Sequence, residues 1–157
     1  MIKVSKNDDL VQQKEREKRA ANLIIYNISE DCEGDLETHD DEFISSFLET
    51  IGVATYPKQI VRLGKPNEKK MRPVKLVMEN EDEKDTIMSR LANLRTADDI
   101  YRKLSIREDY TIEERELIRS YVAQAKKQNE KDNTTEWKVR GTPKNGLVVR
   151  RIKSRHN

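Results

Sequence analysis

A cluster of positively charged side chains marks the middle of the chain. Between Lys58 and Met78 there are seven lysines and arginines but only one acid, Glu68. The seven are Lys58, Arg62, Lys65, Lys69, Lys70, Arg72 and Lys75. Clusters of ammonium and guanidinium groups are the electrostatic footprint of a polyanion partner such as a nucleic acid. The alternative is that these side chains only solvate the edges of strands.

The charge is strongly segregated along the rest of the sequence. Residues 27–50 contain nine acids and no lysine or arginine, whereas residues 137–157 contain seven lysines and arginines and no acid. The total nevertheless sums to a net charge of only +2. Two basic zones in a nearly neutral chain favour polyanion binding over simple solvation. We interpret the acidic residues from Glu30 to Glu42 as a solvated loop and the start of a helix.

Residue types that carry out catalysis or bind metals are sparse. Cys32 is the only cysteine, so the sequence predicts neither a disulfide framework nor a zinc or redox pair. His39 and His156 lie far apart in polar settings, where a solvated side chain is the simplest interpretation. We find no glycine-rich phosphate loop and no nucleophile elbow. We therefore expect no enzymatic activity, no cofactor and no metal site.

Composition limits the class of protein. The 157 residues are 34% hydrophobic and 38% charged, which suits one domain or two small ones with a modest core. No apolar run approaches the roughly 20 residues that span a bilayer, and the N-terminus carries no apolar signal segment. These features predict an intracellular protein without a membrane partner.

The predicted elements from residue 22 to residue 109 follow the order β-α-β-β-α-β. Residues 22–28 form an apolar strand, and Thr38 is a candidate cap for a helix that ends at Gly52. The two arms of residues 59–78 alternate apolar and charged side chains, and Asn80 is positioned to cap a second helix that extends to Arg95. The last strand lies near Ile106. We expect the helices and strands to share one core, which contains Phe43, Phe47, Leu91, Leu94, Ile25 and Leu76. This order is typical of an α+β, ferredoxin-like domain in which one sheet face packs on both helices and the other stays open.

Polar and basic segments flank this predicted domain. Residues 1–21 form a polar helical arm or the remnant of a coiled coil. Residues 110–157 form a small C-terminal domain with a basic tail. In that domain, Thr111 and Glu114 make a capping box that opens a helix, and a β-hairpin turns near Pro143. We expect Trp137 to anchor the hairpin on the helix.

Several strings resemble the RNA-binding protein encoded by the first open reading frame of LINE-type retrotransposons. They are "RAANLIIYNISED", "VRLGK", "RPVKLVM", "LSIREDYTIEERELIRSYVAQAKK", and "WKVRG" followed by "GLVV". The resemblance implies an RNA recognition motif followed by a small C-terminal domain. It also implies a cytoplasmic or nuclear ribonucleoprotein in which the protein packages RNA and acts as a nucleic-acid chaperone. That family usually trimerises through a long coiled coil, whereas only about twenty polar residues precede the motif here.

Charge, alternation and the resemblance together give a set of candidate contacts with single-stranded RNA or DNA. We expect Ile24 and Tyr26 to point out from the open sheet face beside Arg62, Lys75 and Arg107, with Tyr26 stacking on a base. A surface with many cations and one aromatic ring binds phosphate and sugar with weak sequence preference. The complete candidate set is Arg19, Tyr26, Arg62, Lys65, Lys69, Lys70, Arg72, Lys75, Arg107, Arg115, Arg119, Lys138, Arg140, Arg150 and Arg151.

A second hypothesis uses the same fold without a nucleic acid. The acidic and basic surfaces could associate between copies of the chain, as in a co-opted protein-interaction domain. Residue types alone do not separate the two hypotheses. Salt-dependent binding to an oligonucleotide and concentration-dependent self-association distinguish them.

Overall fold

Four short strands with alternating apolar side chains form one antiparallel sheet. Its strand order is β2-β3-β1-β4, and every neighbouring pair is antiparallel. The strands are β1 Asn22–Tyr26, β2 Gln59–Arg62, β3 Val74–Val77 and β4 Ser105–Glu108. The predicted α+β class with a four-stranded antiparallel sheet is confirmed.

The computed structural model describes residues 6–152, and the chain divides into two compact units. Unit 1 is Met1–Asp109 and unit 2 is Tyr110–Asn157. The helices of unit 1 are α1 Lys6–Arg19, α2 Leu36–Thr50, α3 Glu81–Ser89, a 3-10 helix Leu91–Thr96 and the short α4 Asp99–Arg102. Lys153, Arg155 and His156 lie outside the described residues.

One face of the sheet packs against helices and forms the core of unit 1. Ile25 and Leu76 are fully buried there together with Phe47 of α2 and Ile51, the residue that follows this helix. Leu94 of the 3-10 helix joins this cluster, and Phe43 and Leu91 pack against it. Fully burying a side chain of this size contributes roughly 1.5–3 kcal/mol. The predicted core of Phe43, Phe47, Leu91 and Leu94 around Ile25 and Leu76 is confirmed.

Side-chain caps fix the starts of α2 and α3. Asn80 accepts a hydrogen bond from the Glu83 N–H and begins α3, as predicted. α2 begins earlier than predicted, because the Asp35 carboxylate accepts bonds from both the N–H and the hydroxyl of Thr38. Thr38 therefore lies inside the first turn rather than at the cap. The second helix is also shorter than predicted, since α3 ends at Ser89 and the chain continues as a 3-10 helix.

A buried ion pair connects α3 to the edge strand β4. The Lys84 ammonium lies 2.5 Å from Glu108 and 2.8 Å from Asp85, and its side chain is only 6% exposed. Burial disfavours the charged ammonium, but the bonds to Asp85 and Glu108 outweigh that effect and raise the pKa of Lys84. Lys84 therefore carries its charge inside unit 1 and adds nothing to a surface that attracts anions.

Unit 2 consists of one long helix and one hairpin. The helix, α5 Ile112–Lys131, begins with the predicted capping box between Thr111 and Glu114. Strands β5 Glu136–Thr142 and β6 Gly146–Ile152 pair with each other, and both contact α5. Trp137 is half-buried on this hairpin, and its main-chain N–H and C=O are both bonded to the Asn129 side chain, at 2.7 and 3.0 Å. This amide clamp connects the end of α5 to the start of β5.

Candidate nucleic-acid interface

The second face of the sheet of unit 1 carries an aromatic ring and two cations. The register places Ile24 opposite Lys75 on one side and opposite Arg107 on the other. Directly opposed residues of an antiparallel sheet share a face, and so do residues two apart on one strand. Ile24, Tyr26, Lys75 and Arg107 therefore lie on one face, as predicted. We call this surface, opposite the helix-covered core, the outer sheet face.

Tyr26 and Arg107 contact each other on the outer sheet face. The Arg107 guanidinium carbon lies 5.6 Å from the centre of the Tyr26 ring, which is within the range of a cation–π interaction. The Tyr26 residue is 38% exposed, and Arg107 is also exposed. A tyrosine ring and a guanidinium plane are both groups on which unpaired bases stack. The pair thus combines a stacking surface with a positive charge.

The outer sheet face is less open than the alternation pattern predicted. Ile24 lies on it but is only 8% exposed, and Asn22 is 6% exposed. The Asn22 amide donates a hydrogen bond of 3.0 Å to the Asp109 carboxylate. The accessible part of this face is therefore the zone around Tyr26 and Arg107, with Lys75 half-buried beside it.

Arg19 is used inside unit 1. Its guanidinium is 2.8 Å from the Asp109 carboxylate and 3.6 Å from Glu15, and its side chain is 31% exposed. The sequence prediction treated Arg19 as an available phosphate contact. Its position instead connects the C-terminal end of α1 to the segment after β4.

The prediction that Arg62 lies on the open face is wrong. Val61, not Arg62, pairs with Lys75, so Arg62 lies on the same side as Val74 and the core. Its side chain is 7% exposed, and its guanidinium forms a fork with the Asp40 carboxylate at 2.8 and 2.7 Å. The other donors bond to the carbonyl oxygens of Ile28, Ser29 and Arg72.

An arginine has five N–H donors, and in Arg62 all five have partners. A phosphate would have to displace these internal bonds in order to bind it. Arg62 is therefore a structural residue that connects β2, α2 and the segment after β1. Its partner Asp40 is 4% exposed. Asp40 is thus not part of a solvated acidic surface, which corrects the interpretation of the acidic segment.

Arg72 is also held by an acid that the sequence prediction left in solvent. The Glu30 carboxylate accepts bonds from the Arg72 main-chain N–H at 3.1 Å and from its guanidinium at 2.7 Å. A further guanidinium N–H reaches the Gly64 carbonyl at 3.3 Å. The predicted free contact at Arg72 is therefore replaced by an internal ion pair. Both side chains are mostly buried, at 16% and 20% exposure.

The loop between β2 and β3 presents free lysines beyond this pair. Lys65, Lys69 and Lys70 are exposed, and none of them has an ion pair among residues 6–152. The loop closes at its base where the Leu63 N–H bonds to the Pro73 carbonyl at 2.9 Å. These three lysines retain the accessibility that phosphate contact requires, as the sequence prediction assumed.

In unit 2, one face of the hairpin is basic. Lys138 pairs directly with Arg150, and Arg140 pairs with Val148, so all four side chains share a face. All four are exposed, and Lys138 contacts Glu136 at 3.0 Å. We call this surface the basic hairpin face. It brings together three of the four predicted hairpin cations.

The fourth, Arg151, lies on the other side of the hairpin. It pairs with Trp137 and is exposed. Its charge helps to lower the pKa of Asp132 to about 2, although bonds from the hydroxyls of Thr134 and Thr135 are the larger causes. Arg151 therefore does not belong to the basic hairpin face.

The α5 helix carries exposed cations in a stripe along one of its sides. Arg115, Arg119, Val122 and Lys126 are spaced by four, three and four residues, and all four are exposed. Residues at this spacing lie on one side of a helix. No ion pair within residues 6–152 involves its three cations. Lys126 was not predicted, although its spacing from Arg115 and Arg119 was visible in the sequence.

No group of three or more histidine, cysteine or acidic side chains between residues 6 and 152 is arranged to hold a metal ion. In the same range, no helix combines the length and the apolar character needed to cross a membrane. His39 contacts the Asp40 carboxylate at 3.3 Å rather than standing alone in solvent.

Comparison with known proteins identifies no family for this chain. The chain matches no protein-family model, and no curated protein matches it significantly.

Proposed function

We propose that the chain is a non-enzymatic protein that binds single-stranded nucleic acid, with RNA as the principal ligand. The observation that carries this proposal is the contact between Tyr26 and Arg107 on a sheet face that also bears Lys75. A stacking surface beside cations suits an unpaired base with its phosphate.

The topology of unit 1 supports a ferredoxin-like RNA recognition motif. Helices α2 and α3 connect the strands in the order β1-α2-β2-β3-α3-β4, and the sheet order is β2-β3-β1-β4. In RNA recognition motifs the sheet surface binds unstacked bases through aromatic side chains. Here only Tyr26 supplies a ring on the described strands of that face, so stacking serves one base and phosphate contacts supply most of the affinity.

Phosphate contacts are assigned to three clusters of exposed cations. Lys65, Lys69 and Lys70 form the first, in the loop between β2 and β3. The stripe on α5 and the basic hairpin face form the second and third, both within unit 2. Most of these side chains have no internal anion partner, so counterion release on binding is available to them. Binding through such groups is only weakly sequence-dependent.

The biological role follows from the resemblance seen in the sequence. We propose that the chain packages RNA of a LINE-type retrotransposon and acts as a nucleic-acid chaperone that helps strands anneal and exchange. Unit 2 is the small C-terminal domain of this arrangement. Weak sequence preference fits both roles, because a packaging protein must bind along the whole length of one RNA.

The competing hypothesis, self-association through acidic and basic surfaces, has less support. Two acids of the segment it relies on, Glu30 and Asp40, are already paired with Arg72 and Arg62. Fewer carboxylates are therefore available to attract the basic surfaces of another copy.

The test is a fluorescence-anisotropy titration of a mixed-sequence single-stranded RNA and the same DNA sequence, with sedimentation measured in parallel. The proposal predicts that the chain binds the oligonucleotides with an affinity that falls as the salt concentration rises. It also predicts that self-association does not change with protein concentration. Concentration-dependent association without oligonucleotide binding would favour the interaction domain instead.

A further inference from the structure

Two acid–arginine pairs meet at the base of the basic loop between β2 and β3. Arg72, at the end of this loop, is fixed by three contacts. Glu30 accepts from its main-chain N–H, Arg62 donates to its carbonyl oxygen at 2.8 Å, and its guanidinium lies between Glu30 and the Gly64 carbonyl. Asp40 in turn holds Arg62. The order Asp40, Arg62, Arg72, Glu30 is a continuous chain of contacts, which we call the loop clamp.

The loop clamp joins segments that are distant in sequence. Glu30 is 42 residues from Arg72, and Asp40 is 22 residues from Arg62. The loop covers residues 63–73, and its lysines lie just beyond the clamped base. Gly64, with a φ of +88°, bends the chain at the start of the loop, and the Asn67 side chain accepts from the Lys69 N–H at 2.9 Å. The base is therefore held from outside the loop, whereas the tip has only local bonds among residues 6–152.

We infer that Glu30 and Asp40 are positioning residues for nucleic-acid binding, because they fix the loop that presents Lys65, Lys69 and Lys70 to a phosphate backbone. This inference rests on the proposed function. It means that two negatively charged side chains favour the binding of a polyanion. Their charges are matched by the two arginines, so they add little repulsion, whereas their bonds hold the loop in place before the ligand arrives. A loop ordered beforehand loses less freedom on binding.

A positioning role and simple electrostatics predict opposite signs for the effect of Glu30 on binding. If Glu30 acted only through its charge, its neutralisation would strengthen binding to RNA. If it acts through the loop clamp, its neutralisation frees Arg72 and the loop base, and binding weakens. Glu33 is a matched control, because it is an exposed acid of the same segment with no ion pair among residues 6–152. Its neutralisation follows the electrostatic expectation under either view.

The experiment compares Glu30→Gln and Glu33→Gln in a salt series with a mixed-sequence single-stranded RNA. We expect Glu30→Gln to bind roughly tenfold more weakly than wild type. The log–log salt slope should become shallower by about 0.7 for each phosphate that the variant no longer neutralises. Glu33→Gln should bind as tightly as wild type or slightly more tightly. Thermal unfolding of each variant, with binding measured well below the midpoint, separates disorder of the loop from unfolding of the chain.

A double-mutant cycle tests whether Glu30→Gln weakens RNA binding through the loop lysines. Replacing Lys69 and Lys70 with alanine removes two of the three lysines that Glu30 positions, so adding Glu30→Gln to that background should have a much smaller effect than it has in the wild-type chain. Binding by Glu30→Gln that equals or exceeds wild type overturns the inference. So does a weakening that persists at full size without the two lysines. Absence of salt-dependent binding by the wild-type chain is a different result, which rejects the proposed function and this inference with it.

Discussion

The Arg62 guanidinium and the Asp40 carboxylate form a two-bond fork inside unit 1, with N–O distances of 2.8 and 2.7 Å. Both side chains are nearly buried, at 7% and 5% exposure. Fork geometry satisfies two donors and both carboxylate oxygens at once. An arginine in a strongly basic segment of the chain is therefore part of the folded framework, and its removal should lower the stability of unit 1 rather than remove a direct contact with RNA.

We expect Arg62→Ala to lower the free energy of unfolding by about 3–5 kcal/mol, because it leaves the Asp40 carboxylate buried without its partner. Urea unfolding followed by circular dichroism measures this. The matched control is Arg115→Ala, which removes an exposed arginine and should change stability by less than about 0.5 kcal/mol. A decrease below about 1 kcal/mol for Arg62→Ala would show that the fork is not a major stabilising contact.

Tyr26→Ala should weaken binding to single-stranded RNA by roughly 1–3 kcal/mol, the range for one base stacked on an aromatic side chain. The salt slope should stay nearly constant, because a neutral ring releases no counterions. Tyr26→Phe keeps the ring and serves as the control. Anisotropy titrations at several salt concentrations measure both quantities. An equal weakening in Tyr26→Phe would assign the effect to the hydroxyl group and not to stacking.

Arg119→Ala and Lys126→Ala should each weaken binding to every single-stranded sequence alike and make the salt slope shallower by about 0.7. The reason is that each removes one exposed cation from the stripe on α5 without touching the core. Gln124, exposed on another side of α5, provides the control Gln124→Ala, for which no change is expected. Sequence-dependent effects would indicate contact with bases instead of phosphates.

The carboxyl group of Asp132 should titrate far below an ordinary aspartate. Bonds from the Thr134 and Thr135 hydroxyls and the Thr134 N–H hold its pKa at about 2, against an ordinary value of 3.8. Because the folded pKa is the lower one, the stabilisation is present above pH 3.8 and is lost as pH falls toward 2. NMR titration of the side-chain carbonyl carbon measures the midpoint. Thr134→Val should raise it, and an unchanged midpoint in that variant would contradict the assigned cause.

Local patterns in the sequence predicted much of the framework. The alternation around Ile25 and Leu76 placed both in the core, and Asn80 and the Thr111–Glu114 box marked two helix starts. These signals act within a few residues, so they can be read without knowing the tertiary structure. The same holds for the exposed lysines of the loop between β2 and β3.

The side of β2 on which Arg62 lies was not predictable in this way. Ile60 and Val61 are both apolar, so the two-residue period of this short strand has no unambiguous phase. Pairing of Val61 with Lys75 fixes the phase, and the Asp40 partner comes from a helix 22 residues away. Arg72 and Glu30 are separated by 42 residues. Together with the pair of Arg19 and Asp109, which are 90 residues apart, such long-range pairs converted three predicted RNA contacts into internal ones.

Binding of single-stranded nucleic acid is tested most directly by the affinity of the wild-type chain for a single-stranded RNA over a range of salt concentrations. We expect binding that weakens steeply with salt, with a log–log slope of about −0.7 for each phosphate neutralised. The loop lysines, the α5 stripe and the basic hairpin face together supply several phosphate contacts. The slope should therefore be several times the value of about −0.7 for one phosphate. A folded chain that shows no salt-dependent affinity for RNA or DNA at low ionic strength would contradict the proposed function.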